Sequence, residues 1–168
     1  GMEYPTFITA GTSFLMNRWP FDRVRGLEMV TIHEFGHNFW YGLTGSNEFE
    51  EAWLDEGINS YSTGRVIDLV HGADRGMAEL FGLRIGEADI LRAGNRPEAK
   101  YNRILARAWD YVPQGVYGFY SYQKPEMMLR TLEGYLGAEP MARVMRTFHE
   151  RWRFRHPRSE DFFAVANE

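Results

Sequence analysis

The chain has 168 residues and a formal net charge of -4, and 44% of its residues are hydrophobic. This profile is typical of one globular domain with a core, and the acidic balance argues against a surface that recruits nucleic acid. The absence of cysteine excludes disulfides, cysteine–zinc sites and a cysteine nucleophile, and no apolar run approaches the roughly 20 residues of a membrane span.

In chain order, the residue patterns predict a mainly helical fold with one short β segment at the N-terminus. Residues 3–10 are β-rich, with Pro5 at a strand edge or strand start. Residues 110–125, rich in tyrosine and glycine, are expected to be irregular. Helices are predicted at 27–41, 50–70, 74–92, 98–109, 124–136, 139–153 and from Ser159, a plausible N-cap.

Two glycines lie inside the predicted helix at 50–70. Gly57 and Gly64 each weaken a helix by about 1 kcal/mol relative to alanine. We therefore expect close packing at these two positions, where a larger side chain would not fit.

The segment TIHEFGHNFWYG, residues 31–42, carries two of the chain's five histidines. On a helix, His33 and His37 point to the same face because they are four residues apart, so both imidazoles can bind one metal ion. Catalytic zinc takes three protein ligands and leaves one position open for water. Glu34 follows the first histidine, which places it to act as general base. On this segment alone, a solvated helix that carries two histidines stays open as the alternative.

A third ligand is expected from Glu56, which follows His37 after eighteen intervening residues. That length of chain is enough to leave the first helix, turn back and bring a carboxylate to the histidines. Glu56 has apolar neighbours, Trp53 and Ile58 among them, and a buried carboxylate needs a cation or a full set of hydrogen bonds. The alternative for Glu56 alone is a surface salt bridge. Together with His33, these residues predict a site for one Zn²⁺ per chain.

Four segments in chain order resemble the M1 family of zinc aminopeptidases, which are gluzincins. HEFGHNFWYG looks like the family's zinc-binding helix, and WLDEGINSYS is similar to its WLNEGFAxY segment. GMEYPT at the start resembles the family's Gly-x-Met-Glu-Asn strand. YQKPEMMLRTLEGYLG, residues 122–137, resembles its YEKGxxxLxxLExxLG segment. The resemblance covers residues 1–137 and implies the helical half of a thermolysin-like zinc metallopeptidase catalytic domain.

The resemblance implies a role for each matching residue of the reaction centre. His33, His37 and Glu56 would hold zinc. Glu34 would take a proton from the zinc-bound water and pass it to the leaving amine. Tyr122 would hydrogen-bond the tetrahedral oxyanion together with the zinc ion.

The resemblance also implies a substrate-binding strand at the start of the chain. Gly1, Met2 and Glu3 would bind substrate, and Glu3 would contact the free α-amino group that distinguishes an aminopeptidase substrate. Near the predicted catalytic tyrosine, Tyr117 and Tyr120 lie close enough in sequence to be mistaken for it. Without the family, any one of these tyrosines is as well explained by an aromatic core.

Three substitutions separate this sequence from the family's segments. Tyr4 and Asp55 each stand where the family has asparagine, and Pro125 stands where it has glycine. None of them removes a predicted ligand or the predicted base, so they bear on substrate preference and on the exopeptidase mode.

Residues 1–168 are expected to form a single catalytic-domain fragment cut from a longer multidomain protein, because the family's β-rich regions precede this point. We expect the isolated fragment to bind zinc with little or no activity. The implied partners are a peptide substrate with a free N-terminus and the other domains of the parent protein. The compartment is not readable from the sequence, and the resemblance alone slightly favours export to the periplasm or the extracellular space.

Three other functions stay open on the same residues. The chain could be a zinc endopeptidase, a zinc hydrolase of a non-peptide bond such as an epoxide, or a non-catalytic zinc-binding scaffold. Small N-terminal amino-acid arylamides separate the first of these from an aminopeptidase, since an endopeptidase would ignore them. Retention of Glu34 and Tyr122 argues against a scaffold. Asn59 and Glu48 are the candidates for hydrogen bonding the zinc histidines.

Overall fold

The computed structural model describes residues 1–11, 15–16, 18–94, 103–112 and 116–168. Within them the fold is mainly helical, as predicted, and the strands form two two-stranded antiparallel sheets. The α-helices are α1 (Gly26–His37), α2 (Glu48–Ala52), α3 (Ile58–His71), α4 (Glu87–Ala93), α5 (Lys124–Leu136), α6 (Ala138–Trp152) and α7 (Ser159–Ala166). The strands are β1 (Met2–Tyr4), β2 (Phe7–Thr9), β3 (Ala78–Leu80) and β4 (Leu83–Ile85).

The chain divides into two compact units. The first unit comprises Gly1–Gly36 and Ser62–Asn95, and the second comprises His37–Tyr61 and Arg96–Glu168. Among the described residues, no helix combines the length and the apolar character that crossing a membrane requires.

The β-rich segment at the start is a hairpin rather than one strand. β1 pairs antiparallel with β2, with Met2 opposite Thr9 and Tyr4 opposite Phe7. Pro5 lies in the turn between the strands, where its fixed φ angle suits the second position of a tight turn. The prediction of β structure here is confirmed, and the turn that divides it is the correction.

The helix predicted at 74–92 is wrong for its first half. β3 and β4 form a second hairpin, and helix α4 begins only at Glu87. The two residues between the strands, Phe81 and Gly82, have φ angles of 50° and 82°. Positive φ at both central positions is what a two-residue hairpin turn of the I′ type requires. In the same unit, the Arg25 backbone N–H donates a hydrogen bond to the Met77 carbonyl oxygen at 3.0 Å. The Arg25 guanidinium donates to the Arg75 carbonyl oxygen at 2.6 Å.

The helix predicted at 50–70 is interrupted by a π-helical turn, in which backbone hydrogen bonds run from residue i to i+5. The described residues contain three such turns: π1 (Asn38–Leu43), π2 (Trp53–Gly57) and π3 (Phe119–Gln123). π1 ends the helix predicted at 27–41, π2 separates α2 from α3, and π3 lies in the stretch predicted to be irregular.

Two further predictions need correction. Of the short helix predicted at 98–109, residues 98–102 lie outside the described residues, and the rest contains only a 3-10 turn at Ala108–Asp110. Ser159 is the first residue of α7 and not its cap. The Arg158 backbone N–H donates to the Asp161 carboxylate at 2.8 Å, which closes the helix start.

The core of the second unit is built on the apolar face of α6. Met141, Val144, Met145 and Phe148 recur at helical spacing and are all buried, which is the pattern of an amphipathic helix that packs on a core. This cluster continues through α5, α7, π2 and the start of α3. The predicted helices at 124–136 and 139–153 are confirmed within one residue.

Trp53 joins the start of π2 to α7. Its ring packs edge-on against Phe162 at a centroid distance of 5.4 Å, and its indole N–H donates to Ser159 Oγ at 2.8 Å. The Ser159 backbone N–H in turn donates to the Glu51 carboxylate at 2.9 Å. These contacts fix the segment that carries Glu56 against the core.

Candidate metal centre

Helix α1 carries both histidines and the glutamate between them. His33 and His37 are one helical turn apart near the C-terminal end of α1, and Glu34 follows His33. Residues spaced by four on a helix present their side chains on one face. His37 is only 2% exposed and Glu34 is 7% exposed. A solvated helix surface is therefore not the setting of these two side chains.

His37 lies between two carboxylates in the second unit. Its Nδ1 is 2.6 Å from Asp55 Oδ1, and its Nε2 is 3.2 Å from Glu56 Oε2. Burial by itself lowers the pKa of His37, but the hydrogen bonds and negative charges of Asp55 and Glu56 outweigh that effect and raise the pKa to about 10. The contact at Nδ1 fixes the ring so that Nε2 faces Glu56.

Asp55 is the site residue that the sequence alone does not identify. The sequence points to Asn59 and Glu48 as hydrogen-bond partners of the histidines, and the structure adds Asp55, which is fully buried and contacts His37. The available signal was its position directly before Glu56, where the resembled segment has asparagine. Aspartate and asparagine both present a side-chain oxygen at this position, so either residue could accept a hydrogen bond from His37.

Tyr122 reaches the same carboxylate from π3. Its hydroxyl donates to Glu56 Oε1 at 2.5 Å. Burial first, and then the negative charge of Glu56 and the hydrogen bond to it, raise the pKa of the Tyr122 hydroxyl. The hydroxyl is therefore protonated at neutral pH and available as a hydrogen-bond donor.

The two neighbouring tyrosines occupy different settings. Tyr120 is fully buried in a small aromatic cluster, with its ring stacked on Tyr111 at a centroid distance of 5.5 Å. Burial raises the pKa of Tyr117, and the charges of Glu56 and Glu48 add to that effect while a hydrogen bond with Ser121 opposes it. Of the three hydroxyls, the one with a described hydrogen bond to Glu56 is that of Tyr122.

The predicted substrate-binding residues lie in the first unit. The carboxylate oxygens of Glu3 and Glu34 come within 4.8 Å of each other. Gly1 packs against Glu34 so closely that a side-chain carbon at position 1 would overlap the Glu34 carboxylate, which is a close approach that only glycine permits. Met2 is exposed.

The residues around His37 fit a zinc ion. Imidazole nitrogen and carboxylate oxygen are both zinc ligands, with bonds of about 2.0–2.2 Å. Two such ligands in a tetrahedral site are roughly 3.3 Å apart. The 3.2 Å between His37 Nε2 and Glu56 Oε2 matches that separation, and Asp55 at Nδ1 supplies the carboxylate that zinc-bound histidines usually have behind them.

Comparison with known proteins gives one family match and several distant relatives. The family model described as Peptidase family M1 domain matches residues 1–168. A leukotriene A-4 hydrolase homolog from Botryotinia fuckeliana is 26% identical over 166 residues, or 98% of this chain and 24% of that protein. A leucine aminopeptidase 2 from Neosartorya fischeri is 25% identical over 138 residues, or 82% of this chain and 21% of that protein.

An aminopeptidase M1-B from Oryza sativa subsp. japonica is 23% identical over 145 residues, or 83% of this chain and 16% of that protein. This chain therefore spans about a quarter or less of the length of the curated relatives it matches. No solved structure matches it.

Proposed function

We infer, from the premise that this chain belongs to peptidase family M1, that it forms the catalytic unit of a zinc-dependent aminopeptidase. The observation that carries the proposal is the contact between Nε2 of the buried His37 and Oε2 of the partly buried Glu56, with Asp55 behind the imidazole. His33, one helical turn before His37 on α1, completes the proposed set of three ligands for one Zn²⁺.

The chemistry divides between the ion and the side chains of this chain. A zinc ion held there would lower the pKa of water and polarise the scissile carbonyl. Glu34, next to His33 on α1, would accept the proton of the attacking water and deliver it to the leaving amine. The protonated hydroxyl of Tyr122 would donate a hydrogen bond to the carbonyl oxygen as negative charge develops on it.

The exopeptidase mode is supported by the carboxylates of the first unit. Glu3 and Glu34 lie close together, and the ammonium group of a peptide's free N-terminus would balance their like charges. The relatives named leucine aminopeptidase 2 and aminopeptidase M1-B support the same mode. We therefore propose that the substrates are peptides with a free N-terminus. We also propose that other domains of a parent protein complete the enzyme and that the protein is exported.

One relative favours a second candidate. The Botryotinia fuckeliana protein is named as a leukotriene A-4 hydrolase homolog, so a hydrolase acting on a non-peptide bond at the same site is the alternative. Comparing hydrolysis of an amino-acid arylamide with that of an epoxide separates the two, because only the first substrate carries the ammonium group that Glu3 would contact.

The test is the zinc content of this chain and arylamide hydrolysis by the parent protein that carries it, each measured on the wild type, Glu34→Gln and Glu56→Gln. We expect about one zinc per chain in the wild type and in Glu34→Gln, with hydrolysis lost in Glu34→Gln. Glu56→Gln should lose most of its zinc, because an amide oxygen is a weaker ligand than a carboxylate. Glu50→Gln, an exposed glutamate on α2, is the matched control and should keep both properties. A folded wild-type protein without zinc would refute the proposal.

A further inference from the structure

Gly57 and Pro125 meet in a contact that has no room for a side chain. Gly57 is the last residue of π2, and Pro125 is the second residue of α5; both are buried. A carbon added at Gly57 would collide with Pro125 Cβ, and it would lie 3.0 Å from Pro125 Cγ and 3.1 Å from the Ser121 carbonyl oxygen. The expected close packing at Gly57 is therefore present, and its partner is the proline ring.

This contact lies beside the hydrogen bond between Glu56 and Tyr122. Glu56 directly precedes Gly57 on π2, and Tyr122 lies three residues before Pro125 at the end of π3. The Tyr122 hydroxyl is 2.5 Å from Glu56 Oε1. Any carbon inserted between Gly57 and Pro125 would push the two backbone segments apart, and Tyr122 would move away from Glu56.

The proline ring makes the contact rigid. Proline fixes its own φ angle near -65°, and Pro125 lies in helical backbone that continues from π3 into α5. The buried ring therefore defines how closely α5 and π3 can approach π2. The segment that this chain resembles has glycine at position 125. A glycine there has no ring to limit how closely α5 and π3 approach π2.

We propose that Gly57 and Pro125 are positioning residues whose contact sets the distance between the zinc ligand Glu56 and the Tyr122 hydroxyl. The inference rests on the proposed function, because the distance between Glu56 and the Tyr122 hydroxyl matters for activity only if the two residues act in the same reaction. Neither Gly57 nor Pro125 offers a polar side chain, so they act through the placement of their neighbours.

The experiment is a set of paired substitutions made in the parent protein that carries this chain, read out by zinc affinity in a chelator competition and by kcat and KM on an amino-acid arylamide. Gly57→Ala should weaken zinc binding about tenfold and lower kcat on the order of 100-fold, because displacement by about 1 Å is enough for such a loss of catalysis. Adding Pro125→Gly removes both ring carbons that the new methyl group would meet. The double variant should recover zinc affinity and kcat to within about threefold of Pro125→Gly alone.

Two controls separate positioning from general damage. Gly57→Ala combined with Pro125→Ala keeps the colliding Cβ and should stay as impaired as Gly57→Ala. Gly134→Ala, in the last turn of α5, adds a methyl group that meets nothing within 4 Å and should leave zinc affinity and kcat unchanged.

Equal recovery with Pro125→Gly and Pro125→Ala, or recovery with neither, would overturn the inference. If Gly57→Ala and both double variants fail to fold, Pro125→Gly alone decides. Loss of the ring should then lower kcat about tenfold with KM little changed, and an unchanged kcat would overturn the inference. A folded wild-type protein that binds no zinc would instead refute the proposed function itself, and the inference with it.

Discussion

The carboxylate of Asp55 and the imidazole of His37 form a buried pair, with Oδ1 and Nδ1 2.6 Å apart. Such a pair fixes the imidazole tautomer that leaves Nε2 available for a metal ion, and it increases the basicity of that nitrogen. Asp55, the residue directly before Glu56, therefore orients the imidazole of His37, a proposed zinc ligand on helix α1.

Asp55→Ala should weaken zinc binding by about 10- to 100-fold, the usual cost of losing a partner behind a metal-bound histidine. Asp55→Asn should weaken it less, because the amide oxygen still accepts the Nδ1 hydrogen bond while the negative charge is lost. Zinc affinity is measured by chelator competition. Asp110→Ala, at an exposed carboxylate, is the control. Equal losses in Asp55→Ala and Asp55→Asn would mean that charge, not ring orientation, is what Asp55 contributes.

The zinc-free protein should lose stability as the pH rises. His37 has a folded-state pKa of about 10 against 6.5 in the unfolded chain. A raised pKa stabilises the fold fully below about pH 6.5, and that contribution disappears as the pH rises through about 10. The change in the free energy of unfolding should be on the order of a few kcal/mol. Urea unfolding with a chelator present measures it.

Asp55→Asn provides the comparison for that pH series. Removing the Asp55 charge lowers the folded-state pKa of His37, so the variant should lose less stability over the same pH range. A wild-type unfolding midpoint that stays constant between about pH 6.5 and about pH 10 would contradict the assigned His37 environment.

Tyr122→Phe should separate catalysis from metal binding. The hydroxyl donates to Glu56 and is proposed to donate to the developing oxyanion during turnover, so its removal should lower kcat by about 10²–10³-fold. Zinc content should stay near that of the wild type, because the proposed ligands are intact. Tyr135→Phe, at a tyrosine that is 87% exposed, serves as control. If Tyr122→Phe keeps wild-type kcat, another residue must supply this hydrogen bond.

Ser159→Ala should destabilise the protein by about 1–3 kcal/mol, because it leaves the buried Trp53 indole N–H without its acceptor. The free energy of unfolding from urea titration is the measurement. Thr131→Ala removes an exposed hydroxyl that bonds only within its own helix and should change stability by less than about 0.5 kcal/mol. Similar effects of the two substitutions would argue that the bond between Trp53 and Ser159 contributes nothing specific.

Sequence patterns predicted the helices that follow one apolar period and failed where the period changes. α5 and α6 keep a regular apolar face along their whole length, so the residues at which they begin and end could be predicted from the sequence. The apolar residues of 74–92 are compatible with helical spacing, and this pattern predicts a helix there. The turn at Phe81 and Gly82 overrides that spacing, since a phenylalanine with positive φ gives no signal in the sequence.

The residues of the candidate site could be predicted from the sequence better than the contacts between them. His33 and His37 stand four residues apart with Glu34 between them, a spacing that brings two ligands to one face of a helix, so these three could be chosen from the sequence. Glu56 could be chosen from its apolar neighbours and from the family resemblance. The contact between Asp55 and His37 depends on how the chain leaves π1 and enters π2. The contact between Gly57 and Pro125 joins positions far apart in sequence, and only the fold shows that they meet.

The three π-helical turns make the proposed site sensitive to chain length. Each holds one more residue per turn than an α-helix, and one residue corresponds to about 100° of rotation. Deleting a residue from π2 would let this turn continue α3 as regular α-helix, with Glu56 rotated away from His37. Such a variant would keep its helix content and look native by circular dichroism while its catalytic centre no longer existed. Insertions and deletions at these turns are therefore a more severe perturbation than most substitutions in the core.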